Sequence, residues 1–219
     1  FSAAQVMLLE SEQVRGLRND QISVLGSEQV RALKGAQLNA LESGQFGALS
    51  TGQVKMLVSE QLVSLDMTRI GMLSVPQLQA LNGLGGFGTE QIGWLSGGQV
   101  RSLLVGQLST LRSEQLLALE SGDLRSLTSA QVGGLRSEQV GLLSAVQVGA
   151  LQSEQLRGLT TGQLRALESE DVRVLGLQQL SAEQVRAFSA AQVMLLESEQ
   201  VRGLRNDQIS VLGSEQVRA

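Results

Sequence analysis

Residues 180–187, Leu-Ser-Ala-Glu-Gln-Val-Arg-Ala, are one copy of an eight-residue pattern that fills nearly the whole chain. We number the positions of this octad one to eight, starting from the leucine. Residues 1–187 contain 22 complete octads. In these octads position one is Leu in 20 and Phe in two, and position six is always apolar. Position five is Gln in 19 octads, the exceptions being Arg69, Asp123 and Asp171. Such a fixed period predicts a repeat architecture in which each unit contacts its neighbours.

The octads belong to a longer repeat of 187 residues, because residues 188–219 reproduce residues 1–32 letter for letter. Two short steps, six residues after Leu81 and five after Leu175, divide this repeat into halves of eleven octads each. We therefore predict an octad array over 1–81 that ends one half, a short-step turn at 82–86, an eleven-octad half over 87–175, a second turn at 176–179, and an array over 180–219 that starts the next half.

The spacing of the apolar positions excludes long regular elements. Eight residues rotate a continuous helix by about 800°, so the apolar residues would not stay on one face. The spacing fits neither the heptad of a coiled coil nor its eleven-residue variant. Positions one and six would also face opposite sides of a strand. The pattern therefore predicts an all-α repeat solenoid of very short helices, one per octad and eleven octads per pseudo-repeat.

Helix capping supports this prediction. Ser181 followed by Gln184 is a capping box, with the leucine before it and the valine after it as the hydrophobic staple. Where serine stands at position three, as in Ser11 and Ser27, we expect the helix to begin one residue later, at position four. In the octad that starts at Leu73, Pro76 at position four would then be the first residue of its helix. Ion pairs between positions four and seven are expected at Glu12/Arg15, Glu28/Arg31, Glu154/Arg157, Glu170/Arg173 and Glu183/Arg186.

Glycines at positions four and seven, such as Gly44 and Gly133, disfavour helices. The alternative is a β-solenoid in which the position-five glutamines form an amide ladder, although strand-forming aromatic residues are scarce. For helices, two arrangements are open. One is a tubular superhelix with a turn per half-repeat, in which successive helices rotate by about 33°. The other is an antiparallel arrangement, in which eleven octads run in one direction and the next eleven run in the opposite direction.

Composition limits the function classes. The net charge of −4 and the spread of arginine along position seven indicate a solvated face and predict no nucleic-acid partner. No apolar run reaches the roughly 20 residues of a membrane span. With no His and no Cys, metal sites and nucleophile–base pairs lose their best members. We therefore predict that the chain is not an enzyme and has no catalytic, cofactor-binding or metal-binding residues.

The run Leu180-Ser181-Ala182-Glu183-Gln184-Val185 resembles the octapeptide Leu-Thr-x-x-Gln-Ile arrays of very large bacterial secreted and cell-surface proteins. This resemblance covers nearly the whole chain and implies a secreted or cell-surface location. The same six letters are similar to the opening of a TAL-effector repeat. That family has a longer repeat with a variable base-reading pair, and neither is present here.

Together these features predict a structural segment of a long extracellular filament, stalk or adhesin shaft. Its expected partners are neighbouring copies of the same repeat, in the same chain or filament. One alternative is a solenoid scaffold that binds a protein or glycan ligand. A third possibility is an amyloid-like fibre held by glutamine ladders.

Overall fold

The computed structural model describes residues 1–217, which form 26 short α-helices and one 3₁₀ turn and contain no strand. The all-helical solenoid predicted from the sequence is therefore confirmed, and the β-solenoid with its amide ladder is wrong. The helices are α1 (Ala3–Leu8), α2 (Ser11–Arg15), α3 (Asn19–Ser23), α4 (Ser27–Ala32), α5 (Gly35–Ala40), α6 (Ser43–Gly47), α7 (Thr51–Lys55), α8 (Ser59–Ser64), α9 (Met67–Met72), α10 (Val75–Ala80), α11 (Thr89–Gly93), α12 (Gly97–Ser102), α13 (Val105–Ser109), α14 (Ser113–Leu117), α15 (Ser121–Ser126), α16 (Ser129–Gly133), α17 (Ser137–Gly141), α18 (Ala145–Gly149), α19 (Ser153–Gly158), α20 (Thr161–Ala166), α21 (Ser169–Arg173), α22 (Ala182–Arg186), α23 (Ala190–Met194), α24 (Ser198–Arg202), α25 (Asn206–Ile209) and α26 (Ser214–Val217), with the 3₁₀ turn at Leu177–Gln179.

Each helix begins at position three, with position two as its N-cap in extended conformation. In α20 the hydroxyl of Thr160 accepts a hydrogen bond from the backbone N–H of Gln163, and the Gln163 side chain accepts one from the backbone N–H of Thr160. This is the predicted capping box. At the other end the next leucine is extended, as in Leu167 (φ −64°, ψ 137°), and it closes the octad.

The helix start does not shift when serine moves to position three. Ser11 is the first residue of α2, whose N-cap is Glu10, and Pro76 is the second residue of α10, whose N-cap is Ser74. The predicted later start is therefore wrong. The reason is that the glutamine side chain binds the N–H of position two whatever residue stands there, at 2.8 Å even for Glu10. The glutamine fixes the start of the helix, and the serine hydroxyl only adds to it.

The contacts between residues divide the chain into two compact units, Phe1–Leu111 and Arg112–Ala219. Within each unit a helix packs on the third helix along the chain, as α2 does on α5 and α16 on α19. Glutamine hydrogen bonds reach carbonyls 31 and 28 residues earlier, four and three octads back. This gives about 3.5 octads per superhelical turn, or roughly 100° per octad. The rotation of about 33° considered from the sequence is therefore too small, because eleven octads span about three turns rather than one.

Each of the two short steps is a shortened member of the stack in its own unit. Gln91 donates to carbonyls 29 and 26 residues earlier, two fewer than in complete octads, which is the number of residues missing from the first step. For Gln184 the separations are 28 and 25, three fewer. The fully buried Leu84 and Leu177 take the place of the position-six side chain. Helix contacts agree, since α10 packs on α12 and α19 packs on the 3₁₀ turn. The division into five segments stays a prediction.

Positions one and six form the core. In complete octads inside each unit both side chains are buried, as with Leu41 and Phe46, both 0% exposed. The position-one side chain packs towards earlier octads and the position-six side chain towards later ones. A helix of five or six residues has almost no stability of its own, so burial between neighbours must supply it.

Candidate functional site

The most regular polar feature is the position-five glutamine, which uses both ends of its amide. The Gln53 carbonyl oxygen accepts from the backbone N–H of Ser50 at 2.8 Å. Its Nε2 donates to the backbone carbonyls of Ile22 (2.8 Å) and Leu25 (2.9 Å). One side chain therefore caps the start of its own helix and binds the end of a helix four octads earlier. We call this arrangement the glutamine clamp.

The clamp satisfies backbone groups that short helices leave without partners. Most residues of a five-residue helix lie at one of its ends, where N–H and C=O groups lack intrahelical hydrogen bonds. Burying such groups unpaired costs about 1–3 kcal/mol each. The clamp glutamines are themselves buried, as in Gln115 (0% exposed) and Gln163 (1%). The clamp therefore lets a helix too short to be stable alone become part of a buried stack.

Arginines at position seven make a second set of contacts between octads. Arg165 Nε donates to the carbonyl of Ala187 at 3.0 Å, and Arg125 Nε to that of Ala150 at 3.4 Å. These carbonyls belong to position eight, three octads later, whereas the clamp reaches to earlier octads. The charge pattern of the sequence predicts a solvated face for these arginines and does not indicate these contacts. Their recurrence before a small residue at position eight was the available signal.

Of the five ion pairs predicted within octads, two form. Glu12 and Arg15 are 3.5 Å apart, and Glu154 and Arg157 are 3.4 Å apart, all with exposed side chains. In the part of the chain that the structure describes, the other three pairs do not bring a side-chain nitrogen and oxygen within 4 Å of each other. They are Glu28/Arg31, Glu170/Arg173 and Glu183/Arg186. Because water competes with exposed ion pairs, such pairs contribute little to the free energy of unfolding.

Arg69 replaces the clamp glutamine in α9, and two neighbours take over its functions. Asp66 caps the helix by accepting from the Arg69 N–H at 2.8 Å. The Asn39 side chain accepts from the Asp66 N–H at 3.1 Å, as a glutamine oxygen does in other octads. Arg69 in turn donates to the Asn39 carbonyl at 2.6 Å. The exception thus keeps the link to the earlier octad with different chemistry.

Asp171 and Asp123 are the other exceptions, and they keep only half of the clamp. Asp171 accepts from the backbone N–H of Glu168 at 3.1 Å, and Asp123 from that of Glu120 at 3.2 Å. A carboxylate cannot donate to the earlier octads. Burial raises the pKa of the Asp171 carboxyl, the Glu168 N–H partly offsets this, and the nearby carboxylates of Glu168 and Glu170 raise it further. Burial likewise raises the pKa of Asp123.

Residues 1–32 and 188–217 show the same sequence in two surroundings. Phe188 is 3% exposed because octads precede it, whereas Phe1 is 68% exposed. Val14 is 0% exposed because octads follow it, whereas Val201, the same position in the second copy, is 49% exposed. Each octad therefore has two different faces, one buried by its predecessors and one buried by its successors.

A groove of about 600 Å³ lies beside the first short step, where the shortened unit has no helix. Its rim carries Lys55 and Glu60 with the polar Asn82 and Thr110. Gly83, at the bottom of the step, has a φ of 156° and is the only residue in 1–217 with a positive φ. At the second short step the Arg205 guanidinium donates to the backbone carbonyls of Gln178 and Leu180.

The absence of catalytic, cofactor-binding and metal-binding residues, expected from the sequence, stays a prediction. Among residues 1–217 there is no group of three or more carboxylate, His or Cys side chains placed to hold a metal ion. The helices of the same region are all too short to cross a membrane. The described residues form stacks whose polar side chains bind the backbone of the same stack.

Part of the chain matches a known family. The family model described as the ALTTAQ repeat matches residues 116–153 and 148–182, and the two matches begin four octads apart. Comparison with curated proteins finds no match. The matched stretch lies within one unit of the structure and contains seven of its helices, α15 to α21. Over residues 116–182 the chain is therefore similar to the ALTTAQ repeat, which makes it a tandem-repeat protein.

Proposed function

We propose that this chain is a structural segment of a long extracellular filament, stalk or adhesin shaft of the bacterial cell surface, and that it catalyses no reaction. The observation that carries the proposal is the glutamine clamp. The same side chain makes the same two links, 31 and 28 residues back, in octad after octad. The recurring polar side chain of the repeat is thus engaged in holding the stack together.

Near-identity between copies is the second support. Residues 188–219 match residues 1–32 without a single change. A periodic shaft needs uniform units, because each must fit the units before and after it. The location at the cell surface comes from the resemblance of the octad to bacterial surface arrays.

Imaging of the native protein tests this proposal. Antibodies against the 219-residue chain should label filaments on intact cells or in the culture medium. Reconstruction of these filaments should show an axial period of one 187-residue copy. Discrete particles without such a period, or label confined to the cell interior, would contradict the proposal.

The groove at the first short step favours a second function, a scaffold that binds a peptide or glycan. It is lined by Lys55 and Glu60, which carry opposite charges, and by the apolar Leu57 and Leu62. A peptide and glycan array probed with the chain and with the Lys55→Ala/Glu60→Ala variant tests it. Ligands lost only with the variant would support the scaffold, whereas an array with no ligand would reject it.

A further inference from the structure

Asn82 and Gly83, at the start of the first short step, take no part in the hydrogen bonds of the stack. The turn requires glycine at 83, because φ is 156° there and a Cβ atom would lie 3.1 Å from Thr110 Oγ1. The Asn82 side chain is exposed. Among the residues that the structure describes, neither its amide nor the Gly83 N–H has a hydrogen-bond partner. An exposed amide is therefore followed in the chain by a backbone nitrogen that no hydrogen bond holds.

The other asparagines of the chain have different surroundings. The Asn39 amide is held at both ends, since its Nδ2 donates to the Ser64 carbonyl at 2.7 Å and its Oδ1 accepts from the Asp66 N–H at 3.1 Å. Asn19 and Asn206 are the first residues of α3 and α25, and each is followed by an aspartate. The asparagine of the short step is the only one of the four that precedes glycine and lies outside a helix.

An asparagine followed by glycine can lose its side-chain amide without an enzyme. Hydroxide takes the proton of the following backbone N–H, and the nitrogen attacks the side-chain carbonyl carbon. A C–N bond forms, and the side-chain nitrogen takes a proton from water and leaves as ammonia. Water then opens the cyclic imide at either carbonyl and gives an aspartyl or an isoaspartyl residue. Glycine favours the attack because it has no Cβ atom to hinder the approach and its backbone is conformationally permissive.

We propose that Asn82 and Gly83 form a self-modification site, at which the folded chain converts the Asn82 amide into a carboxylate through a cyclic imide made with the Gly83 nitrogen. The unpartnered Gly83 N–H and the exposed Asn82 side chain are the observations that carry it. Water is the only co-reactant, and hydroxide is the base. The inference goes beyond the proposed structural function and does not depend on it.

The new carboxylate appears in the groove that Asn82 lines together with Lys55 and Glu60. The charges of Lys55 and Glu60 balance before the reaction, and afterwards the groove carries an excess of negative charge. An isoaspartyl product also lengthens the backbone by a methylene group. The Gln107 clamp ends at the Leu81 carbonyl, at 3.1 Å, so it does not include the modified residue. The reaction therefore changes the charge of the groove and leaves the helices intact.

Incubation of the full chain at mildly alkaline pH, followed by trypsin digestion and mass spectrometry, tests the inference. The four asparagines fall in four different tryptic peptides, and residues 70–101 contain Asn82 alone. We expect this peptide to gain the mass difference between NH₂ and OH, at a rate that rises with pH. The peptides with the other three asparagines should keep their amides over the same time. Labelling by an isoaspartyl methyltransferase should detect the isoaspartyl fraction in the same peptide.

Two variants and a reference peptide serve as controls. A synthetic peptide of residues 78–87 gives the rate without the fold, and the full chain should react within a few-fold of it. Asn82→Gln should keep its amide, because the longer side chain closes the ring much less readily. Asn82→Asp carries the charge of the product, so it should elute with the reacted chain on anion exchange. Its circular dichroism should match that of the unchanged chain, since position 82 lies outside the helices.

Three results would overturn the inference. In the first, the full chain keeps its amide at Asn82 while the synthetic peptide loses it. In the second, Asn39 or Asn19 of the folded chain reacts as fast as Asn82. In the third, Asn82→Asp loses helicity, so that the short step does not tolerate the product. Imaging of native filaments is independent of all three, so the surface filament and the modification site stand or fall separately.

Discussion

At the scale of single residues, the chain depends on a side chain that accepts and donates at once. Glutamine is suited to position five because its amide carries an acceptor and two donors on a flexible stem. Glutamate keeps the acceptor and the length but loses the donor. Aspartate is also too short, and arginine lacks the acceptor, so Arg69 depends on Asn39 for that function.

Replacing a buried clamp glutamine by glutamate should be strongly destabilising. In Gln163→Glu the carbonyls of Val132 and Leu135, now bound at 2.9 and 2.7 Å, would face a buried carboxylate. We expect a loss of about 2–4 kcal/mol in the free energy of unfolding at neutral pH, measured by urea titration. Gln5→Glu is the control and should cost nearly nothing at low protein concentration, because Gln5 makes only the capping interaction. Equal losses in the two variants would show that the donor is unimportant.

Restoring glutamine at an aspartate exception should stabilise the chain. Asp171→Gln returns the missing donor to a buried position, and we expect a gain of about 1 kcal/mol at neutral pH. Asp171→Glu is the control, because glutamate has the length of glutamine but lacks the donor, and the gain should be absent in it. Thermal unfolding of the two variants measures the difference.

The stabilisation by Asp171→Gln should shrink in acid. Since burial raises the pKa of the folded carboxyl, the folded chain binds this proton more tightly than the unfolded chain. The contribution of the carboxyl to stability is thus largest below its unfolded pKa of about 4 and is lost as the pH rises through the raised value. Hydrogen bonds from Arg18 and Arg205 lower the pKa of Asp20 and Asp207. These two carboxyls are present in both the unchanged chain and the variant, so they do not affect the difference in stability. Unfolding curves between neutral pH and about pH 4 should converge; a constant difference would contradict this.

At the scale of helices, the closest packing depends on small residues. A Cβ atom on Gly133 of α16 would lie 2.5 Å from the Gly158 carbonyl oxygen of α19. On Gly141 of α17 it would lie 2.5 Å from the Ala166 carbonyl oxygen of α20. Glycine at position seven therefore allows two backbones to touch in these pairs. At Gly47, also position seven, nothing lies within 4 Å, and the structure offers no reason for its glycine.

Alanine at two helical glycines should have opposite effects. Gly133→Ala should destabilise by about 1–3 kcal/mol, because the methyl group must push α16 away from α19. Gly106→Ala, inside α13 with nothing near its Cβ position, should stabilise by about 0.5–1 kcal/mol through helix propensity alone. Chemical denaturation of both variants gives the comparison. The same sign for both would mean that propensity, and not packing, decides.

Much of the helix-level structure could be predicted from the octad. The leucine, the glutamine and the apolar position six define a capped short helix, and local spacing is enough to show it. The predicted helix start in octads such as that of Ser11 is wrong because the position-five glutamine, and not the serine hydroxyl, determines where the helix begins. The Nε2 of Gln53 and the guanidinium of Arg165 could not be placed in advance. Their partners lie 22 to 31 residues away, and that separation depends on the number of octads per turn.

At the scale of the whole molecule, the octad is the unit that can be counted, added or removed. Even the two short steps occupy one place each in the stack of their own unit. The eleven-octad halves follow from the sequence alone, whereas the pitch of about 3.5 octads follows from how side chains of neighbouring turns fit together. No single octad contains that information.

Deletions should obey the octad. Removing residues 143–150 takes out one whole unit and leaves every later Leu and Gln in register, so we expect full helicity per residue and a modest drop in melting temperature. Removing residues 143–146 has the same starting point but shifts the apolar positions by half a unit. This shorter deletion should lose more ellipticity at 222 nm than the longer one. Equal damage from both would show that the later octads need their particular neighbours rather than the repeat.

The backward direction of the glutamine clamp has a consequence for how such a protein folds while it is made. Each clamp binds carbonyls that were synthesised 25 to 31 residues before it and needs nothing synthesised after it. A chain that emerges N-terminus first from the ribosome can therefore form one clamp at a time, each on octads that have already been made.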